Sequence, residues 1–203
     1  DVYFTGNFND TISFGKDTLK APNGNDMYLV KYDSGGNVLW VRQSYTTSIY
    51  NVTYTNSVTT DNEGAAYVTG QFIDTVVFNR DSVFSKYPNG EMFLTKYDAA
   101  GNVIWARQTY KGYSGDDISS HICNDTENHI YIVFVVDTSA TTFGGHTFKT
   151  VFNPPPYGNM VCIAQMDTGG NVLCGSAFQS YIYPRQMNSI TSDYSGDYIY
   201  TAG

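Results

Sequence analysis

A motif that occurs three times is the feature of this sequence that most constrains its fold. Residues 33–40 (DSGGNVLW) recur as residues 98–105 and again as residues 167–174, at spacings of 65 and 69 residues. Between residues 27–43 and residues 92–108, 11 of 17 positions are identical. A period of this length is typical of propellers and solenoids, in which each repeat folds as a small unit that packs on its neighbours.

Each repeat is predicted to contain four antiparallel strands, designated a to d. In the second repeat these are residues 56–60, 66–72, 91–97 and 102–110. Strand c is apolar on both faces, so it must be covered from two sides, which sheets stacked face to face achieve. The sequence therefore predicts an all-β fold of propeller blades, with a β-solenoid as the second interpretation. A small extra strand is expected in each b–c connection, at residues 11–14, 75–78 and 141–143.

The connection between strands c and d has the form Asp-x-x-Gly-Asn in every repeat. It predicts a type I turn that is closed by a left-handed glycine and capped by the aspartate side chain. The residues assigned to these structural turns are Asp33, Gly36, Asn37, Asp98, Gly101, Asn102, Asp167, Gly170 and Asn171. Each aspartate stands without a second carboxylate nearby in sequence, so capping is favoured over Ca²⁺ binding, and no metal or other cofactor is expected.

The repeats divide the chain into units of residues 1–64, 65–128 and 129–196, with residues 197–203 starting a fourth. This makes about three four-stranded antiparallel blades of about 64–69 residues, cut within a blade at both ends. Closed propellers have about four to eight blades, so the sequence predicts an incomplete ring whose first partner is the remainder of the same propeller. The alternative is a six-bladed dimer, in which residues 189–191 pair with residues 2–4 of a second copy.

Two blocks of the repeat resemble a known family. They are Ala-Tyr-Val-Thr-Gly at residues 66–70 and Lys-Tyr-Asp-Ser-Gly-Gly-Asn-Val-Leu-Trp-Val-Arg-Gln at residues 31–43. The pattern resembles the SBBP repeat, a bacterial family of seven-bladed β-propeller repeats, over the whole chain. The third repeat departs from it, because Gln165, Cys174 and Ser176 replace lysine, tryptophan and arginine. The resemblance implies an extracytoplasmic bacterial protein, secreted or at the cell surface, of a kind often found beside adhesive modules.

The charge balance argues against nucleic acid and membranes as partners. The formal net charge is −8 with only 11 Lys and Arg residues, so no basic stripe could neutralise phosphates. No run approaches the roughly 18 apolar residues of a membrane span, so direct membrane insertion is not expected. The sequence also contains no recognisable catalytic motif, and His121, His129 and His146 are spread over a strand a, the following strand b and the b–c connection rather than clustered. The chain is therefore predicted not to be an enzyme.

Tyrosines concentrate in the connections between strand d and the next strand a, which should emerge on the same rim as the b–c connections. Tyrosine offers a flat apolar face with a polar tip, which suits both sugars and protein partners. The predicted ligand-binding residues are Tyr45, Tyr50, Tyr54, Tyr110, Tyr113, Tyr181 and Tyr183. The alternative is that a protein with 18 tyrosines places some of them on every surface.

A second repeated pattern, Asp followed by a hydroxyl residue and an aliphatic residue, falls on the b–c connections. It resembles the O-glycosylation motif of exported Bacteroidetes proteins. The predicted glycan attachment sites are Thr11, Thr18, Thr75 and Ser82. The alternative is a turn aspartate followed by a strand-forming residue, which repetition would copy automatically.

The three cysteines, Cys123, Cys162 and Cys174, are too few for a disulfide framework. A turn centred on Gly169 would place Ala164 opposite Cys174 and leave Cys162 on a diagonal, where a disulfide is disfavoured. Cys162 and Cys174 are therefore predicted to be small buried side chains.

These features lead to one hypothesis about function and two alternatives. The leading hypothesis is a non-enzymatic, exported β-propeller module for binding, adhesion or structural scaffolding at a bacterial cell surface, with type IX secretion as its route. Its expected partners are a protein or a carbohydrate at the cell surface. The alternatives are a subunit of an envelope or secretion assembly, and part of an enzyme whose catalytic residues lie outside this segment.

Overall fold

The computed structural model of the chain describes residues 1–47, 52–85, 90–111, 117–136, 140–149, 159–180, 189–193, 196 and 198–202. Every regular element in these residues is a β-strand. In chain order the strands are β1 (Val2–Phe14), β2 (Asp17–Tyr32), β3 (Val38–Gln43), β4 (Tyr45–Thr46), β5 (Val52–Thr60), β6 (Ala66–Ile73), β7 (Thr75–Phe78), β8 (Asp81–Phe84), β9 (Glu91–Tyr97), β10 (Val103–Gln108), β11 (Tyr110–Lys111), β12 (Asp117–Asn124), β13 (Ile130–Val136), β14 (Ala140–Phe143), β15 (His146–Lys149), β16 (Asn159–Met166), β17 (Val172–Ser180), β18 (Ser189–Ser192) and β19 (Ile199–Ala202). The predicted all-β fold class is confirmed.

The strands group into blades that follow the repeats. Blade 1 contains β1, β2 and β3; blade 2 contains β5, β6, β9 and β10; and blade 3 contains β12, β13, β16 and β17. Strands β18 and β19 pair as the first two strands of a fourth blade. Strand pairs within the blades are antiparallel, and a single parallel bridge between Asn25 and Val52 links blades 1 and 2. The chain thus forms a segment of a β-propeller.

The inner strands of successive blades, β5, β12 and β18, lie side by side. The Thr59 hydroxyl donates a hydrogen bond to Asn124 Oδ1 at 2.7 Å, and the Ser192 hydroxyl donates to the Asn124 carbonyl at 2.9 Å. Each inner strand begins an a-b-c-d order, so strand d is the outer strand of its blade.

The observed strand limits in blade 2 agree with the prediction for strand c and differ for strands a and d. Strand c is β9, with the predicted bounds Glu91–Tyr97, whereas strand a begins earlier, at Val52, and strand d stops at Gln108. The Met92 amide bonds to the Thr109 hydroxyl at 3.1 Å, and the Thr109 amide bonds to the Met92 carbonyl at 3.0 Å. Because the Thr109 hydroxyl, rather than a backbone carbonyl of strand d, accepts the hydrogen bond from the Met92 amide, the chain leaves the blade at Thr109.

The predicted extra strand of each b–c connection is in fact a two-stranded hairpin, called the outer hairpin below. It consists of β7 and β8 in blade 2 and of β14 and β15 in blade 3. In blade 1 the same pairing continues directly from β1 and β2, with an irregular register between Phe8 and Asp10. The short strands that follow strand d complete these hairpins, because β4 pairs with β7 and β11 pairs with β14. Each blade is therefore linked to the outer hairpin of the next.

The blades pack through strands that are buried on both faces. Every residue of β9 is buried, as the apolar pattern of strand c predicts, and so is every residue of β13. Tyr67 and Leu94 of blade 2 belong to the same core cluster as Ile132 and Phe134 of blade 3. Burial of these side chains between sheets contributes about 1.5–3 kcal/mol for each large apolar residue.

In one cross-strand pair of the core, the large and the small side chain are on opposite strands in blades 2 and 3. Gly70 lies directly opposite Phe93 in blade 2, whereas Phe134 lies opposite Cys162 at the equivalent positions in blade 3. A Cβ atom on Gly70 would lie 2.7 Å from the Phe93 ring, so that ring occupies the space above the glycine. The ring is supplied by strand c in blade 2 and by strand b in blade 3.

The cysteines agree with the prediction at one position and contradict it at another. Cys162 is fully buried, but Cys174 is exposed, so the prediction of a buried side chain at Cys174 is wrong. A register shift places Cys174 opposite Gln165 rather than Ala164. The equivalent Trp105 is buried because the c–d turn of the next blade lies against it, and no turn in the described residues covers Cys174 in that way.

Candidate binding clefts between the blades

Two clefts open beside the outer strands, at the two junctions between blades 1, 2 and 3. Cleft 1, between blades 1 and 2, has a volume of about 270 Å³ and is lined by residues that include Arg42 and Tyr45. Cleft 2, between blades 2 and 3, has a volume of about 390 Å³ and is lined by residues that include Arg107 and Tyr110. The arginines, like the tyrosines, are 65 residues apart in the sequence, so the clefts are related by the repeat.

The walls of each cleft come from two blades. Strand d of one blade (β3 or β10) supplies the arginine, and the short strand after it (β4 or β11) supplies the tyrosine. The next blade supplies the glycine of its c–d turn, Gly101 or Gly170, and a residue from the tip of its outer hairpin, Asn79 or Gly144. The shape of each cleft therefore depends on how the two blades are held together.

In cleft 1, the side chains of blade 1 hold the c–d turn of blade 2. Arg42 donates from Nε to the Gly101 carbonyl at 2.6 Å and from Nη2 to the Ala100 carbonyl at 2.7 Å. Its third hydrogen bond, from Nη1, goes to the Val41 carbonyl at 2.8 Å. Trp40 Nε1 donates to the carbonyl of the turn residue Ala99 at 3.1 Å. The Arg42 guanidinium is thus committed to contacts between blades.

In cleft 2, the equivalent turn keeps the lysine contact of cleft 1, where Lys31 Nζ donates to the Ala99 carbonyl at 3.2 Å, but among the described residues neither the arginine nor the tryptophan of the outer strand donates a hydrogen bond to it. Lys96 Nζ donates to the Thr168 carbonyl at 3.2 Å, and the Trp105 ring lies where a Cβ atom on Gly170 would approach it to 3.0 Å. The Arg107 guanidinium lies over the Trp105 ring, 5.5 Å from its centroid. Arg107 is exposed, and its guanidinium donates no hydrogen bond to the described residues. Arg107 is therefore available to a ligand where Arg42 is not.

The c–d turns that border the clefts use their own aspartates as caps. Asp98 Oδ1 accepts from the backbone amides of Ala100 and Asn102 at 2.9 and 2.7 Å, and its Oδ2 accepts from the Asn102 side chain at 2.9 Å. Asp33 and Asp167 make the equivalent bonds in their turns. The glycines Gly36, Gly101 and Gly170 have φ angles of 80°, 83° and 82°. The hydrogen bond from the Asn102 side chain lowers the pKa of Asp98.

These turns predict that the fold loses stability in acid. The pKa values of Asp33, Asp98 and Asp167 in these turns, and of Asp125 in an a–b turn, are lowered; burial acts to raise the pKa of Asp125 and Asp167, and hydrogen bonds to the carboxylates outweigh it. A carboxylate with a lowered pKa stabilises the folded state above its unfolded pKa of about 4, and this contribution is lost as the pH falls through the folded value. We expect the free energy of unfolding, measured with urea, to fall below about pH 4, and to fall less steeply in Asp98→Asn. Asp17→Asn serves as the control, because Asp17 makes no side-chain hydrogen bond to the described residues; equal slopes in all three proteins would contradict the prediction.

The structure brings two of the seven predicted tyrosines to equivalent sites. Tyr45 and Tyr110 are 54% and 64% exposed at the clefts, and each is fixed by backbone pairing with the next outer hairpin. Tyr54 is 50% exposed but lies on the inner strand β5 and lines neither cleft. Tyr50, Tyr113, Tyr181 and Tyr183 lie outside the described residues. Binding at any of these tyrosines stays a prediction.

The four predicted glycan sites all lie on outer hairpins. Thr11 and Thr75 donate to the preceding aspartates, Asp10 and Asp74, at 3.1 and 3.0 Å. Both aspartates have positive φ angles, 63° and 66°, so the pattern marks the same strained turn in blades 1 and 2. The other two sites, Thr18 and Ser82, are exposed. Their modification stays a prediction.

Two buried carboxylates lie close to the clefts, at the starts of the segments that form strand c. Asp26 accepts hydrogen bonds from Gln43 Nε2 at 2.8 Å and from the Thr46 amide at 2.9 Å. Glu91 accepts from Gln108 Nε2 at 2.6 Å. These bonds tie strand c to strand d and to β4, which gives both acids a structural role.

Within the described residues, the remaining ionisable groups do not assemble into a centre. His129 Nδ1 lies 2.9 Å from Asp125 Oδ2 in the a–b turn, and His146 packs on Phe148 of β15. In the part of the chain that the structure describes, no group of three or more His, Cys, Asp or Glu residues could hold a metal ion. A search of the same residues found no helix with the length and apolar character of a membrane span.

The two cleft arginines and their neighbouring glutamines were not singled out by the sequence reasoning. Arg42 and Gln43 recur as Arg107 and Gln108 within the repeated motif, and neither is present in the third repeat, where Ser176 replaces the arginine. A charged residue that recurs in an otherwise weakly charged sequence is a signal that could have identified them. The sequence did not indicate that one arginine would be committed and the other available.

Stacked four-stranded antiparallel sheets built from a long repeat define a β-propeller-type repeat protein. No protein-family model matches the chain, so membership of the SBBP family stays a prediction. The chain is similar to a protein of Acanthamoeba polyphaga mimivirus described as an uncharacterized WD repeat-containing protein. The two are 28% identical over 146 residues, which cover 66% of this chain and 10% of that protein. The chain therefore spans about a tenth of the length of this relative. WD repeats have a period of about 40–45 residues, shorter than the spacing here.

Proposed function

We propose that this propeller segment is a binding module that engages a protein partner through clefts 1 and 2. The observation that carries the proposal is the repeated placement of an exposed tyrosine beside an arginine, Tyr45 with Arg42 and Tyr110 with Arg107. Tyrosine and arginine are among the residues that most often dominate the energy of protein interfaces. The similarity to a WD repeat-containing protein supports an interaction role over a catalytic one.

The proposed interface is preorganised by backbone pairing. Tyr45 lies opposite Val77 and Tyr110 lies opposite Thr142, so both tyrosines belong to three-stranded sheets rather than to free loops. A fixed backbone lowers the entropy that a partner must overcome when it orders the surface. The repeat also presents the two tyrosines on equivalent supports, which suits a partner that contacts both clefts.

A crosslinking experiment tests this proposal. A photoreactive phenylalanine analogue is placed at Tyr45, at Tyr110 or, for comparison, at Tyr54. At the first two positions it is expected to trap a partner protein in the native host, and the partner is then purified. Tyr110→Ala is expected to weaken binding of that purified partner by roughly tenfold, because a large aromatic contact is lost. Tyr54→Ala is the matched control, since Tyr54 has similar exposure outside the clefts. Equal weakening by the two substitutions, or crosslinks at position 54 alone, would contradict the proposal.

The proposal places the module outside the bacterial cytoplasm, at the cell surface, where the partner is a protein or carries carbohydrate. This part is supported by the resemblance to SBBP repeats and by the exposed position of Thr11, Thr18 and Ser82 on the outer hairpins. Intact-mass measurement of the protein from its host, followed by Thr11→Ala and Thr18→Ala, tests it. Loss of a discrete glycan mass on substitution supports export through a glycosylating route, and an unmodified mass in a cytoplasmic fraction contradicts it.

A further inference from the structure

We propose that cleft 2 is a recognition site for one carboxylate group, that of a glutamate or aspartate side chain in a protein partner. This proposal rests on the proposed function and names the chemistry of one contact within it. It is argued from the difference between the two repeat-related clefts, from the hydrogen-bonding capacity that cleft 2 leaves unused and from the absence of carboxylates among its described lining residues.

The two arginines differ in the hydrogen bonds that their guanidiniums donate. In cleft 1 the Arg42 guanidinium donates to three backbone carbonyls, one from each nitrogen, so three of its five N–H donors are occupied. Both guanidiniums lie over the tryptophan two residues earlier, Arg42 at 5.1 Å and Arg107 at 5.5 Å from the ring centroid, but the Arg107 guanidinium donates to none of the described residues. Stacking on an indole fixes the plane of a guanidinium while its edge stays open, and that edge matches the two oxygens of a carboxylate.

Cleft 2 is also more open than cleft 1 at the tip of the outer hairpin. The hairpin-tip residues Asn79 and Arg80 of blade 2 are replaced by Gly144 and Gly145 in blade 3. Of the two replaced residues Asn79 lines cleft 1, and the loss of its side chain accompanies the increase in volume from about 270 Å³ in cleft 1 to about 390 Å³ in cleft 2. A Cβ atom on Gly145 would meet no other atom within 4 Å, so the approach beside it is open.

The described residues that line cleft 2 carry a positive charge. The described residues that line cleft 2 include one cation, Arg107, and no aspartate or glutamate. Acids bonded to residues that line the cleft are already engaged: Asp81 accepts from the Ser82 and Ala106 amides, Glu91 accepts from Gln108, and Asp167 caps its own turn. In a chain with a formal net charge of −8, this lining is a local exception that favours an anionic group.

The number of free donors distinguishes a carboxylate from a sugar. Gln108 and Asn171 are committed to internal hydrogen bonds, and the Thr142 hydroxyl is paired with Thr147. Among the side chains that line the cleft, the Arg107 guanidinium and the Ser82 and Tyr110 hydroxyls make no hydrogen bond to the described residues, and Asn171 Nδ2 keeps one further N–H. These suffice for the two oxygens of one carboxylate. A uronic acid would bring several more hydroxyl groups than these few side chains can pair, which costs affinity.

The test uses the protein with this chain intact and two capped pentapeptides, Ac-Gly-Gly-Glu-Gly-Gly-NH₂ and its glutamine counterpart. Binding is followed by NMR through the arginine Nε–Hε signals and the amides of Gly144 and Gly145. The glutamate peptide is expected to shift the Arg107 signal and these glycine amides, and the glutamine peptide to bind at least about fivefold more weakly. Arg107→Ala is expected to weaken the glutamate peptide by roughly tenfold or more, and Arg107→Lys by about fivefold, because lysine keeps the charge and loses the planar pair of donors.

Arg80→Ala is the matched control, since Arg80 is an exposed arginine on the neighbouring outer hairpin that lines neither cleft. It should bind the glutamate peptide as the unmodified protein does. Equal binding of both peptides, unchanged binding by Arg107→Ala, or shifts centred on Arg42 would overturn the proposal. Tighter binding of glucuronate than of the glutamate peptide would also overturn it in favour of an acidic sugar. If the peptides fail while Tyr110→Ala still disrupts a protein complex, the proposed function stands and the carboxylate site alone is wrong.

Discussion

Replacing Phe134 with glycine is expected to lower the free energy of unfolding by about 4 kcal/mol. Phe134 is 1% exposed in the core between blades 2 and 3, and its ring lies 5.6 Å from the Phe143 ring and 5.4 Å from the Phe148 ring. Removing it leaves a cavity that the paired strands β13 and β16 cannot close by shifting. Urea unfolding followed by tryptophan fluorescence measures the loss.

A second substitution should restore part of this stability. In blade 2 the ring is on strand c, where Phe93 lies 5.1 Å from Phe78, the residue equivalent to Phe143. The double variant Phe134→Gly with Cys162→Phe reproduces that arrangement, because the new ring starts from the residue directly opposite the glycine. We expect Cys162→Phe alone to cost about 2 kcal/mol by overpacking, and the double variant to recover roughly 2 kcal/mol relative to the sum of the single variants. Additive losses in the double variant would show that the two positions do not share one space.

Substituting Gly70 with alanine is expected to be the most damaging change of a single methyl group, at about 3 kcal/mol or more. A Cβ atom at this position would collide with the backbone carbonyl of Tyr54 and approach the Phe93 ring to 2.7 Å. The carbonyl is close because β5 has an irregular register between Thr55 and Ser57, next to the pair formed by Thr55 and Gly70. Backbone cannot move aside as a side chain can, so the strand pair itself must shift.

The repeat provides a matched control for this prediction in Gly6. A Cβ atom on Gly6 would approach the end of the Tyr28 side chain and no backbone atom among its nearest neighbours, so rotation of the ring can relieve most of the contact. Gly6→Ala is therefore expected to cost only about 1 kcal/mol in the same unfolding experiment. If both substitutions cost the same, the backbone collision at Gly70 is not what determines the loss.

The sequence predicted the parts of the fold that local chemistry repeats. The bounds of β9 follow from an apolar run limited by turn residues, and the a–b turns place glycine or asparagine, the residue types that tolerate positive φ, at Gly64, Asn128 and Gly196, where φ is 79°, 66° and 78°. Such features depend on a few adjacent residues, which a repeated motif makes visible. The limits of strand d were less predictable, because Thr109 ends it through bonds to Met92, a residue 17 positions earlier.

The clefts show where sequence reasoning stops. Tyr45 and Tyr110 were identified from the density of tyrosines, and the structure places them in equivalent surroundings. The difference between Arg42 and Arg107 depends on how closely each approaches the carbonyls of a turn about 60 residues away. No local pattern encodes that distance. Cys174 fails for a related reason, since the burial of its equivalent Trp105 comes from a turn on the neighbouring blade.

The short strands β4 and β11 have a consequence for how the molecule comes apart. Each continues directly from one blade yet bonds to the outer hairpin of the next, so a boundary drawn along the chain and a boundary drawn through the sheets do not coincide. A protease that cuts after Gln43 or Gln108 would leave the flanking blades held together by the hydrogen bonds of the short strand, β4 or β11. Deleting a whole repeat would instead remove the outer hairpin that pairs with the short strand of the preceding blade. It would also leave the outer hairpin of the following blade without its short strand. Adjacent blades should therefore unfold together in pairs rather than independently.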